Sequence, residues 1–161
     1  MSTKSTPGLG ELLRYVGELV DHGAEEHYRT IGLEYRARYT PVLRALSAGA
    51  ETVTDITARS TITQGAISQS VSLMQKDGIL ARHQVDDGRK TGLHLTPKGK
   101  DLLKRLEPRW VVTFSAIEGL EAEVGHPLLQ ILIDTARALE RQGFGARLQE
   151  ASTLQKERHE G

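Results

Sequence analysis

Apolar positions recur along this chain with the helical period, and the pattern breaks once. From about Leu9 to Ile31, Leu12, Tyr15, Val16, Leu19, Val20 and Gly23 fall three and four residues apart, which places them on one helix face. Gly32 is a suitable terminator. A second helix is expected from about Glu34 to Leu46, burying Tyr35, Tyr39, Val42, Leu43 and Leu46. Pro41 lies within it, so the helix either bends there or begins near Thr40 with the proline in its first turn. Ser47 to Ala50 reads as a loop. Thr52-Val53-Thr54-Asp55 has the form of a capping box and predicts a short helix to about Ser60. Thr61-Ile62 turns the chain, Thr63 caps a further helix over Gln64–Asp77, and Gly78 closes it.

The period then changes. Leu80 to Val85 reads as a strand, Asp86-Asp87-Gly88 as a turn, and Thr91 to Leu95 as the returning strand. Thr96-Pro97 starts another helix, a hydroxyl cap followed by proline, running to about Leu120 with an interruption or kink near Pro108. Gly125-His126-Pro127 precedes a last helix to about Arg141. Residues 1–7 are expected to be a loose tail, and residues 146–161 a polar one that frays beyond Glu150. The fold class expected is mainly α with one small β-hairpin.

Composition narrows the possibilities. There is no cysteine among the 161 residues, which excludes disulfides, thiol catalysis and thiol redox sensing. The N-terminus is polar and no apolar run is long enough for a signal peptide or membrane span, so a cytoplasmic protein is expected. Net charge is zero, yet it is unevenly spread. Between Arg59 and Arg109 there are ten basic residues against five acidic ones, whereas residues 11–34 carry Glu11, Glu18, Asp21, Glu25, Glu26 and Glu34 against Arg14 and Arg29. A solvated surface of ion pairs would have the same composition.

The helix over Gln64–Asp77 puts Ile67, Val71 and Met74 on one face and Gln64, Gly65, Ser68, Gln69 and Ser72 on the other. Most exposed helix faces carry carboxylates. This one has none, so it can approach a polyanion, and Gln and Ser can bond base edges or phosphate. The hairpin tip adds Arg89 and Lys90 beside a glycine, with Arg82 nearby. A basic fingertip on a two-stranded ribbon suits a minor groove. Together these features favour duplex DNA as the partner.

At these residues the sequence resembles the MarR family of regulators. Thr52-Val53-Thr54-Asp55-Ile56 is similar to the start of that family's helix-turn-helix, and Ile62-Thr63-Gln64-Gly65-Ala66-Ile67-Ser68 to its turn and recognition helix. Asp77-Gly78-Ile79-Leu80, Asp87-Gly88-Arg89 and Leu95-Thr96-Pro97-Lys98-Gly99 resemble its helix-to-strand junction, wing signature and wing closure. The resemblance implies a winged helix-turn-helix module over 34–96. It also implies a homodimer whose interlocking helices are 8–33 and 97–145, and an inverted-repeat operator with half-sites about one helical turn apart. Carried over by motif, Thr63, Gln64, Gly65, Ser68, Gln69 and Ser72 face the major groove and Arg89 enters the minor groove. Lys90, Arg82 and either Thr52 or Thr54 approach phosphate. The sequence departs from the family pattern at Ser60, Thr61, Gln69, Ser70 and Leu73, which bears on DNA preference more than on fold.

The resemblance further implies a repressor released by a small phenolic or anionic effector, bound in a crevice bordered by the first two helices. His27, Tyr28, Arg38 and Tyr39 are the groups to inspect there, although each also suits a structural role. No cofactor and no metal site is expected. His83, His94 and His126 fall on separate elements, and no two histidines have His-x-x-x-His spacing. No phosphate loop, nucleophile elbow or dinucleotide fingerprint is present, so an enzyme is not expected. The alternative is a winged-helix protein-interaction or dimerisation module that does not bind specific DNA.

Overall fold

The computed structural model describes residues 5–85 and 90–160, with the side chain of Lys90 excluded. The chain divides between Glu107 and Pro108 into two compact units.

The first unit opens with α1 (Leu9–Thr30). Its predicted stripe stays in contact with solvent: Leu12, Tyr15, Val16, Leu19 and Val20 are all exposed. Only Tyr28 is buried in this helix. The chain turns at Gly32, whose φ of 75° favours glycine. Pro41 then settles the choice left open by the sequence. A short 3-10 helix, Ala37–Tyr39, is followed by α2 (Thr40–Ser47), with the proline in the first turn, where no backbone donor is lost.

The helix pair follows. α3 (Val53–Ala58) begins with the predicted capping box: the Thr52 hydroxyl accepts from the Asp55 amide at 3.1 Å, and the Asp55 carboxylate accepts from the amides of Thr52 and Glu51, each at 3.0 Å. α4 (Gln64–Lys76) is capped by Thr63, which accepts from the Ala66 amide at 3.2 Å. Ile67, Val71 and Met74 are almost fully buried, as their spacing requires. They join Tyr39, Val42, Leu43, Ile56 and Leu106 in the core of this unit.

β1 (Leu80–Val85) pairs antiparallel with β2 (Lys90–Leu95). Leu80 faces Leu95 and Arg82 faces Leu93, so these residues share one side of the ribbon; His83 faces Gly92 and His94 faces Ala81 on the other. α5 (Pro97–Val124) starts where the hairpin ends. Thr96 ties the junction together, its amide donating to the Ile79 carbonyl and its hydroxyl to that of Gly78, while the Gly99 amide donates back to the Thr96 hydroxyl. A Cβ on Gly99 would collide with the Ile79 carbonyl, which explains why glycine closes this motif.

The second unit contains the rest of α5, then α6 (Leu128–Arg141) and α7 (Phe144–Glu160). Pro108 lies inside α5, which continues through it as one helix. The segment expected to be a fraying polar tail is helical to Glu160. Its many Ala, Leu, Gln, Lys, Glu and Arg residues are strong helix formers, and the Arg147 guanidinium ties its start to the Gln142 and Ala138 carbonyls. None of the residues of α6 or α7 is buried, and Val111, Phe114, Leu129, Leu132 and Phe144 are among the exposed large apolar side chains.

Candidate nucleic-acid interface

The buried stripe of α4 fixes which residues face outward. Thr63, Gln64, Gly65, Gln69 and Ser72 are exposed, and Ser68 is half-buried. The predicted polar set is therefore presented on one helix, starting at its amide-rich N-terminus. Ser70, one of the departures from the family pattern, is buried; the Arg38 Nε donates to its hydroxyl at 3.3 Å. Ser60 lies in the turn, where its hydroxyl accepts from the Ile62 amide at 3.1 Å.

Neighbouring groups hold the module in place. Arg59 donates to the Ala48 carbonyl, which links the end of α3 to the loop after α2. Thr52 is half-buried and occupied by its cap, whereas Thr54 is exposed, so Thr54 is the more accessible of the two for phosphate. The backbone amide of Glu51, followed by the Thr52 side chain, holds the Asp55 carboxyl below the usual carboxylate range. Arg82 of β1 is exposed, and its Nε donates to Gln75 of α4 at 2.8 Å, tying wing to helix. Arg89 and the turn Asp86-Asp87-Gly88 lie outside the described residues, as does the Lys90 side chain.

The short helix before α2 makes contacts that the sequence reading did not foresee. The Ala37 amide donates to Glu25 of α1 at 3.1 Å, Arg38 reaches Ser70, and the Tyr39 hydroxyl donates to Asp77, after the end of α4, at 2.6 Å. Three consecutive residues thus connect α1 to the middle and end of α4. The local pattern signalled that Tyr39 was core but could not name its partner. Tyr39 is 1% exposed, and burial, helped by the Asp77 bond, pushes its phenol up to about 12. Tyr28, Tyr35 and Tyr39 form an edge-to-face series, with centroids 4.9 and 6.3 Å apart.

Two clefts open on this unit. One, of about 520 Å³, is bordered by Asp21, Glu25, Arg36, Arg38 and Ser70. Burial, and then Glu25, raise the Asp21 carboxyl above its usual range. The other, of about 750 Å³, includes Tyr39, Asp77, Lys98 and Arg105. Of the four groups assigned to an effector, Arg38 lines the first cleft and Tyr39 the second; His27, which is exposed, and Tyr28, which is buried, line neither. Among the described residues no group of three or more His, Asp or Glu could hold a metal ion, and no helix is long and apolar enough to cross a membrane.

Helix pair, wing and flanking helices together have close counterparts among solved structures. The fold is that of the MarR-family winged-helix regulators. The Mycobacterium tuberculosis regulator MosR, in complex with DNA, superposes with a TM-score of 0.67 at 19% identity, over 84% of this chain and 98% of that one. PcaV of Streptomyces coelicolor, bound to its natural ligand, gives 0.60 at 21% identity, over 88% and 96%. Bordetella bronchiseptica BpsR, whose DNA binding is regulated by 6-hydroxynicotinic acid, gives 0.58 at 20%, also over 88% and 96%. No protein-family model and no curated protein matches the chain by sequence.

Proposed function

We propose that this MarR-type chain is a sequence-specific, double-stranded-DNA-binding transcriptional repressor, acting in the cytoplasm as a homodimer on an inverted-repeat operator. The observation that carries this reading is the outward face of α4. Gln64, Gly65, Ser68, Gln69 and Ser72 form a carboxylate-free surface on a helix anchored by three buried apolar residues and tied to the wing through Arg82. In this reading α4 enters the major groove, Gln64 and Gln69 read base edges, and Thr63 and Ser72 contact base edges or backbone. Arg89 enters the minor groove, and Lys90, Arg82 and Thr54 pair with phosphate.

The homodimer is supported by the exposed apolar side chains of α1, α5 and α6, since an exposed apolar surface of this extent marks an association site. A small anionic or phenolic effector is placed in the cleft beside Arg36 and Arg38, because a ligand that draws Arg38 from Ser70 would loosen a tie to α4. The ligand complex of PcaV and the regulation of BpsR by 6-hydroxynicotinic acid lend weight to this assignment.

The test is selection of bound sequences from random duplex DNA at physiological salt. An inverted repeat with half-sites one helical turn apart is expected. Recovery of no enriched sequence would leave the protein-interaction module as the better reading.

A further inference from the structure

We infer that the outer side of the wing is a binding site for a divalent transition-metal ion, Cu2+ or Ni2+, held by the Nδ1 atoms of His83 and His94. The sequence places these residues on different strands; the register brings them together. His83 pairs with Gly92 and His94 with Ala81, so both rings project from the side opposite Leu80, Leu93 and Leu95. Their Nδ1 atoms are 2.8 Å apart, with ring centroids at 4.9 Å and planes inclined by 45°. Both residues are exposed, so an ion reaches them directly from solution. A Cβ on Gly92 would overlap the His83 imidazole and the Val85 side chain. The missing side chain is thus what lets the His83 ring lie across the strand toward His94.

Two imidazole nitrogens at this separation need one hydrogen between them. With neither Nδ1 carrying a hydrogen two lone pairs face each other, and with both carrying one two N–H groups collide. Without metal, one Nδ1–H donates to the other ring. A metal ion can replace that shared proton. Imidazole is a ligand for both Cu2+ and Ni2+, and the affinity of nitrogen donors for divalent first-row metals rises through Ni2+ to a maximum at Cu2+. Among the described residues no third His, Asp or Glu joins the pair. The site depends on the hairpin alone and stands whether or not the chain binds DNA.

The experiment is titration of the untagged full chain with CuCl2 and with NiCl2, followed by calorimetry, with electron paramagnetic resonance of the copper form. We expect one ion per chain and a tetragonal copper spectrum with two equatorial nitrogens. His83→Ala and His94→Ala should each lower affinity at least tenfold. Gly92→Ala keeps all six histidines but puts a methyl group where the His83 ring lies, and should weaken binding as well, with circular dichroism confirming the fold. His22→Ala and His126→Ala should leave binding unchanged. Absence of saturable binding, its survival in the His83→Ala/His94→Ala double variant, or a copper spectrum with a single nitrogen would overturn the assignment.

Discussion

Tyr39 shows how one side chain serves both packing and positioning. Its ring is buried in the core and its hydroxyl holds Asp77 at the end of α4. Tyr39→Phe keeps the ring and should cost about 1–2 kcal/mol, measurable by urea unfolding. Tyr35 and Tyr39 both have phenol groups raised by burial, Tyr39 to about 12. The folded state therefore favours the neutral phenol. Its contribution is fully present below the ordinary tyrosine range near pH 10 and is lost as pH rises toward 12. Tyr39→Phe should show a shallower loss of stability over that interval. The DNA-facing residues divide differently. Gln69→Ala should relax the sequence preference at one operator position at a cost of about 1–3 kcal/mol, while Arg89→Ala should weaken binding by about 1 kcal/mol or more. Competition binding with selected and scrambled duplexes separates the two effects.

Among the elements, the helix pair and the hairpin were legible because local chemistry dictates them. The capping box at Thr52, the cap at Thr63 and the glycine at 78 each define an end within a few residues. Thr63→Ala should cost the start of α4 about 1 kcal/mol, seen as a lower melting temperature and weaker DNA binding. Gly99→Ala should be worse than its size suggests, since the Ile79 carbonyl occupies the space and backbone must move. Two elements were read less well. Pro41 allowed two helix starts, and only the packed chain selects the one with the proline in the first turn. α7 lacks the amphipathic stripe on which the sequence reading relied, and is instead rich in strong helix formers.

For the whole molecule, the dominant feature is apolar surface left in solvent. Leu12, Val16, Leu19 and Val20 of α1 follow a helical stripe that this chain does not cover. A second copy is the proposed cover. Light scattering should give a dimer, and Leu19→Glu combined with Val16→Glu should shift it toward monomer and abolish tight operator binding, since each half-site alone is weak. Affinity should also fall steeply with salt as lysine and arginine displace counterions from DNA. A salt-insensitive complex would contradict the proposed phosphate contacts.

The sequence by itself determined the order of elements from α1 to α6, the caps, the wing and the polar face of α4. Those features depend on residue spacing and on neighbours a few positions apart. It also carried the family resemblance that matches the fold, since the wing-closing motif reflects a tight approach that only glycine permits. Tertiary structure decided which polar groups meet across the chain: Arg38 with Ser70, Tyr39 with Asp77, and His83 with His94. The first two pairs are separated by more than thirty residues, so no local period encodes them. The histidines met because antiparallel register, not sequence distance, sets which side chains share one side of a ribbon.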